Sequence, residues 1–464
     1  DMKSKMMHSG AAWAAIFVVS AASGAGARVH AQERPDAGSD EFHCPAVPPG
    51  WPEPLGTVKY LADDALEGRF SGSRGAQCAG DYIASMFARI GLEPAGVDGY
   101  YQTLSLQTAA MPHGPGGEGR NVLGLLRGSD PALAASAVVV GAHYDHLGHG
   151  EFGSLGPVGE IHNGADDNAS GVAAMLEAAR RLASGPRPPR SILFIAFTGE
   201  ELGLIGSSYY TTHPTVPLDR TLAMINLDMV GRLEDHALIV YGVGTAPEWK
   251  EIVERADAEE GIPLAYEAAG YGPSDQTSFY ASDIPVLHLF TNVHGDYHKP
   301  SDDWQKIDAG GLGKVAELTA NLAAAVANRE TRLTLIPGVG EREQRAGGYG
   351  AWLGTVPDFT PVERGVLLSG VTAGSPAEVA GLRKGDILVG LENATPVPVC
   401  PGDPAGPDVG PEPPLCAFVI DDLQGFTDAL GAHKPGDEVV VRYIRDGTER
   451  TGRTTLGDRA DRPR

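Results

Sequence analysis

Hydrophobic and polar positions divide this chain into stretches of different period. Four apolar runs, "AVVVGA" (137–142), "SILFIAF" (191–197), "TLAMINL" (221–227) and "IPVLHLF" (284–290), are short, rich in β-branched or aromatic residues, and polar immediately afterwards. Runs without alternation suit strands buried on both faces. Helical patterns separate them. In "IHNGADDNASGVAAMLEAARRL" (161–182) the apolar positions Val172, Met175, Leu176, Ala179 and Leu182 share one helical face. Strands alternating with helices predict an α/β unit over 51–330, a three-layer sandwich with a mixed, mostly parallel sheet. A connector over 331–347 contains the charged stretch "EREQRAG". Residues 348–460 change character to short strands, glycine turns and two short helices, a small β-rich domain. No repeat of solenoid period occurs.

The N-terminus adds a compartment to this layout. Lys3 and Lys5 precede an apolar run over 11–22, which reads as an export signal over 1–31, followed by a Pro-rich lead over 32–50. The run is too short to span a bilayer comfortably. A periplasmic or secreted protein with no membrane span after signal removal is expected. The formal net charge of 36 − 60 = −24 argues against nucleic-acid or anionic-membrane partners. Four cysteines allow two disulfides in three pairings. A bridge between Cys400 and Cys416 would close a Pro/Gly-rich loop of roughly 15 residues, worth about 3 kcal/mol, and would leave Cys44 for Cys78. No Cys-x-x-Cys spacing suggests thiolate ligation of a metal.

The chemistry sits where the strands end. The first run leads into His143-Tyr144-Asp145, the second into Thr198-Gly199-Glu200-Glu201, the third into Asp228, and the fourth into a loop with His294 and Tyr297-His298. Parallel strands share one carboxyl edge, where open α/β sheets bind ligands. Asp166 and Asp167, just before the 172–182 helix, arrive at the same edge. An Asp pair before a helix or a Glu pair at a helix start is by itself an ordinary cap. Several carboxylates crowded together need a cation, and mixed imidazole and carboxylate donors suit zinc or a similar first-row ion.

The blocks "GAHYDH", "NGADDNASG", "FTGEELGLIGS", "INLDMVGR" and "GDYHKPSDDW" resemble those of the di-zinc exopeptidases related to bacterial leucyl aminopeptidases and glutamate carboxypeptidases. The resemblance runs over about 58–327. It implies that His143 and Asp228 hold one zinc, Glu201 and His298 the other, and that Asp167 bridges them, with a cis peptide between Asp167 and Asn168. It further implies that Glu200 is the general base acting on a bridging hydroxide, and that Asp145 orients His143. Two divalent ions (+4), three carboxylates (−3) and one hydroxide (−1) then sum to zero. Asp166 is left structural. Peptides are the expected substrates, with amine recognition favoured because Arg232 is the only arginine close to a motif that could receive a carboxylate. Asp275 in "YGPSDQTSF" is a candidate for the substrate's α-ammonium. His146, His149 and His162 are expected to contact solvent or outer groups, His294 to rival His298, and His288 to be a satisfied core residue. The alternatives are a carboxypeptidase or dipeptidase, a one-metal cyclase, and a silent peptide-binding relative.

"YGAWLGTVPDF", "GVLLSGVTAGSPAEVAGLRKGDILVGLEN" and "DDLQGFTDALGAHKPGDEVVVRYIRDG" resemble a PDZ domain of the bacterial protease-associated kind. Ser375, Pro376 and Gly381 suit the start and end of a short helix, Asp422 can cap a second, and Asp446-Gly447 fits a hairpin turn. The resemblance places a loop for peptide C-terminal carboxylates at Trp352-Leu353-Gly354.

Overall fold

Local sequence explains how the first helices are bounded. Pro54 occupies the first turn of α1 (Pro54–Leu61), where its missing N–H costs nothing. Ser73 caps α2 (Arg74–Ile90) by accepting from the Ala76 amide, and Gly91, at φ 85°, ends it in the left-handed region. Cys44 is bonded to Cys78 of α2, tying the Pro-rich lead to that helix. The bridge spans a separation of 34 residues. Loop-closure entropy therefore predicts that Cys78→Ser lowers unfolding free energy by about 2–4 kcal/mol, checked by urea denaturation with and without reductant. The computed structural model describes residues 44–50, 52–107, 116–150, 153–233, 237–340, 351–358, 362, 364–372, 374–394, 416–421 and 423–458. The export signal, Cys400, Asp422 and the charged part of the connector lie outside them.

Nine strands form the main sheet among the described residues: β1 (Glu93–Pro94), β2 (Tyr101–Ser105), β3 (Glu118–Leu126), β4 (Ala137–His143), β5 (Ser191–Phe197), β6 (Thr221–Leu227), β7 (Leu238–Tyr241), β8 (Leu264–Tyr266) and β9 (Val286–Phe290). The order is β1-β3-β5-β4-β6-β9-β7-β8, with β2 beside β3. The central strands β5, β4, β6 and β9 are the four apolar runs, and they are parallel. On the flanks, β3 pairs antiparallel with β1, β2 and β5, and β7 antiparallel with β9. With β7 and β8 parallel as well, the sheet is mixed, parallel through the centre and at the β8 edge and antiparallel elsewhere. The flanking strands escaped the sequence reading because they are very short or, like "EGRNVLGLL", broken by polar residues and glycine.

Helices cover both faces. Helices α3 (Gly171–Ser184) and α7 (Ala309–Ala327) pack on each other and on β4 and β6. On the other face α4 (Ile205–Thr212) and α6 (Gln276–Tyr280) bring Tyr210, Phe279 and Tyr280 against Val139, Leu193, Ile195, Phe197 and Met224. All seven residues of β4, β5 and β6 are buried. That burial explains why these strands lack alternation. The remaining helix, α5 (Trp249–Ala256), packs on α7.

Residues 331–340, read as the start of the connector, pack against the α/β unit. Leu335 and Val339 join its core, and the Tyr280 hydroxyl donates to the Ile336 carbonyl at 2.6 Å.

The C-terminal residues form a second, antiparallel sheet from β11 (Thr355–Asp358), β12 (Val366–Val371), β13 (Ile387–Asn393), β14 (Ala417–Val419), β15 (Glu438–Arg445) and β16 (Thr448–Thr455). A separate pair joins β10 (Ala351–Trp352) to β17 (Gly457–Asp458). The Ser375 hydroxyl caps α8 (Pro376–Val379), and α9 (Leu423–Gly431) buries Phe426 and Leu430 in this sheet's core. Asp446 and Gly447 both have positive φ, as a two-residue hairpin turn of the primed type requires.

Candidate metal centre

Since β4, β5, β6 and β9 run parallel, their carboxyl ends lie along one edge, and each ends on a residue with a metal-compatible donor or leads into one. His143 is the last residue of β4. Asp228 directly follows β6. Glu200 and Glu201 lie in the turn between β5 and α4, which starts only at Ile205. The Glu pair is therefore too early to be a first-turn acid of α4. Asp167 precedes α3 in an irregular turn, with the Asp167–Asn168 peptide cis.

The side chains meet in two overlapping groups. His143 Nε2 lies 3.2 Å from Asp228 Oδ1, 3.4 Å from Asp167 Oδ1 and 3.9 Å from Glu200 Oε2. His298 Nε2 lies 3.2 Å from Asp167 Oδ2 and 3.3 Å from Glu201 Oε2. The two oxygens of Asp167 thus face different imidazoles. Both rings are fixed from behind: Nδ1–H of His143 donates to the Asp145 carbonyl at 3.2 Å, and Nδ1–H of His298 to the Gly153 carbonyl at 2.9 Å. That tautomer turns each Nε2 lone pair into the cluster.

Electrostatics show how much positive charge the cluster wants. Burial works to lower the pKa of His143, yet Asp228, Glu200 and Asp167 hold it well above the ordinary histidine value. His298 is held up in the same way, against burial, by Glu201 and Asp167. Burial, reinforced by the charges of Asp228, Glu201 and Asp275, pushes Glu200 well above the usual carboxylate range, although His143 opposes it. Glu201 goes the other way, held low against burial by His298 and His146. A raised carboxyl beside a lowered one is the arrangement that separates a proton carrier from a ligand.

The surroundings revise several expectations. The Asp145 carboxylate is 3.8 Å from His143 Nδ1, and its close partners are the Ser71 hydroxyl at 2.7 Å and the Glu200 amide at 3.2 Å. It is the Asp145 main chain that orients the ring. His146 is fully buried, and its Nδ1–H donates to Glu201 Oε1 at 2.7 Å. His294 pairs with Asp166 Oδ2 at 3.1 Å, outside the cluster. Asp166 also accepts from the Gly231 amide at 2.7 Å, so this carboxylate stitches loops together. His162 bonds to Ser154, and His288 is buried in β9 against Tyr241. His288 is not a satisfied core residue: its Nε2 has no partner among the described residues, and burial takes its pKa down to about 4. Asp275 has no exposed surface, and burial raises its pKa to about 7. Arg232 is paired with Asp302 and Asp296.

Sequence reasoning missed Ser71, His146 and Asp302 as supports. Asp302 accepts from the amides of Asp166 and Asp167 at 2.9 and 3.1 Å, fixing the loop that presents the central carboxylate. His146 and Asp302 lie inside the quoted blocks and Ser71 about seventy residues before the first of them, but nothing in their spacing marks them as supports.

Known proteins share this architecture. The model described as Peptidase family M28 matches residues 121–323. The matched segment contains His143, His146, Asp167, Glu200, Glu201, Asp228 and His298. Its curated relatives include leupeptin-inactivating enzyme 1 of Streptomyces exfoliatus, 30% identical over 257 residues (54% of this chain, 52% of that protein). Aminopeptidase YwaD of Bacillus subtilis is 32% identical over 209 residues, 43% of each chain. The chain spans about half the length of these curated relatives. A Zn-dependent exopeptidase from Parabacteroides distasonis has the same fold, with TM-score 0.50 and 22% identity over 60% of this chain and 99% of that one.

Proposed function

We propose that this chain is a two-zinc exopeptidase that removes residues from peptide N-termini. The observation that carries the reading is the division of Asp167, one oxygen toward His143 and the other toward His298. The donors fit divalent ions. Two largely buried groups, His143 with Glu200 and Asp228, and His146 with Asp167 and Glu201, each have ligand atoms within 4.8 Å of one another, with only Glu200 and Glu201 partly exposed. Imidazole–carboxylate sets of this kind suit zinc, and another first-row ion is chemically admissible. On this reading His143 and Asp228 would hold one ion, His298 and Glu201 the other, with Asp167 contributing to both. His146 serves as a donor to Glu201, because its Nδ1–H is committed to that carboxylate.

Two bound divalent ions supply positive charge that acidifies a water and polarises the scissile carbonyl. The protein's own residues handle the proton. Glu200 keeps a small exposed window, 11% of its side chain, at the cluster. Its raised pKa suits it to take a proton from the attacking water and pass it to the leaving amine. Asp145 holds the Glu200 backbone while its own carbonyl aims His143.

Amine recognition is favoured over carboxylate recognition by the charges left over. The carboxylate cluster attracts an α-ammonium, whereas Arg232, the candidate carboxylate receptor, is already paired with Asp302. The purified protein should contain two zinc ions per chain and lose activity on chelation. It should release N-terminal residues from free peptides and aminoacyl amides but not from N-acetylated ones. Release from the C-terminus instead would transfer the assignment to a carboxypeptidase.

The Cys44–Cys78 bridge, and a second disulfide involving Cys416, suit an exported protein in an oxidising compartment. The C-terminal sheet, with edge strand β11 and the short helices α8 and α9, supports a PDZ-type unit taking peptide C-termini at Trp352-Leu353-Gly354. Pro357 and a register shift interrupt β11, which limits the length of strand that could be added there.

A further inference from the structure

The segment before α2 contributes no ligand, yet it holds the centre's two halves together. At its heart is Arg69, 0% exposed, whose guanidinium forms no ion pair with a carboxylate among the described residues. Its hydrogen bonds among the described residues all go to main-chain carbonyls: Nε to Tyr144 at 2.9 Å, Nη1 to Leu61 at 2.5 Å and Asn163 at 2.6 Å, and Nη2 to Gly164 at 3.0 Å. Tyr144 directly follows His143, and Asn163 and Gly164 lead into Asp166-Asp167. One rigid fork therefore spans the His143 loop, the Asp167 loop and the end of α1.

The backbone around Arg69 is built for this reach. Glu67, Gly68 and Arg69 all have positive φ. A Cβ on Gly68 would come within 2.5 Å of the Gly148 and His162 carbonyls, so the chain lies directly on both loops. The Arg69 carbonyl accepts from the His146 amide, and the Gly68 carbonyl from the Gly148 amide. Two residues on, the Ser71 hydroxyl donates to Asp145 and accepts from the Gly199 amide, extending the brace to the Glu200 turn. Burial lowers the pKa of Arg69 to about 10, with Asp167, Asp145, Asp302 and Glu201 opposing the fall, so it stays a cation at neutral pH.

We propose that Arg69 is a positioning residue that sets the spacing between the His143 and Asp167 loops, and so the affinity of the site for its pair of divalent ions. This rests on the two-metal reading above. The fork geometry is what counts. Lysine keeps the charge, but its single nitrogen cannot serve carbonyls from three segments with the same reach.

The test is zinc binding, measured by competition with a chromogenic chelator, for wild type, R69K, R69Q and the remote core variant L322A on α7. The last serves as a control for general destabilisation, since Leu322 is fully buried away from the cluster. Zinc affinity of at least one site should fall roughly 10–100-fold in both R69K and R69Q, as for other outer partners of metal ligands. L322A should bind zinc like wild type, and its melting temperature should rise on zinc addition by more than that of R69K. Wild-type affinity in R69K would overturn the proposal, as would an equal loss in L322A. A chain that cannot fold without Arg69 would overturn it too, by making the residue a general core element. Should wild type itself bind fewer than two ions, the two-metal reading fails, while R69K against wild type still reports the clamp on the ion that does bind.

Discussion

Replacing Glu200 by glutamine is expected to leave two zinc ions on the chain while cutting kcat by about 10³-fold, roughly 4 kcal/mol of transition-state stabilisation. The substitution keeps the side chain's size and one acceptor oxygen but removes the ability to take a proton. Glu200 is the carboxylate with the more distant imidazole contact, 3.9 Å from His143 Nε2 against 3.2 Å for Asp228. It is also the one that burial pushes upward, while Glu201 is held low. A base and a ligand are thus adjacent in sequence yet separated by environment. Metal analysis beside steady-state kinetics decides the matter. If E200Q lost an ion, Glu200 would be a ligand, and the proton would need another carrier.

The second large effect is expected at Asp167. Asparagine there preserves shape but turns one of the two oxygens into an NH₂ donor, which cannot face a cation. Zinc content of D167N should fall from two to one per chain, and kcat/KM by at least about 10³-fold, because the remaining ion acts without its partner. Elemental analysis after gel filtration reads the stoichiometry directly. Two ions bound with undiminished affinity would mean that Asp167 does not connect the pair. The cluster's imidazoles would respond as well. In the metal-free protein Asp167 is among the charges holding both His143 and His298 above the ordinary histidine range, so there both pKa values should move down in D167N.

The legible parts of this molecule share a physical origin. A strand covered on both faces must be apolar at every position, and β4, β5, β6 and β9 announced themselves for that reason. Their order in the chain, each followed at once by His143, Glu200, Asp228 or the His298 loop, places those residues at one edge once the strands are parallel. The C-terminal hairpin at Asp446-Gly447 and the Ser375 cap were equally plain, since each depends on a local backbone preference. The antiparallel flanks were not, because strands such as Glu93–Pro94 and Leu264–Tyr266 are too short to show a period. Nor was it clear that residues 331–340 belong with the α/β unit, since their contacts are with Tyr280 and Thr245, far back in the chain.

Among the histidines the difference is sharper. His146, His294 and His298 lie in loops of similar composition, and no spacing rule tells which ring faces the cluster. Sequence alone determined which donor types are present and which strand each follows, because local hydrophobic pattern and chain order suffice for that. Only the tertiary structure decided that His294 turns away to Asp166, that His146 backs Glu201, that Asp145 acts through its carbonyl, and that Arg69 clamps two loops from below. Those outcomes depend on ångström-scale packing between segments as much as 128 residues apart, and no local preference encodes a distance of that kind.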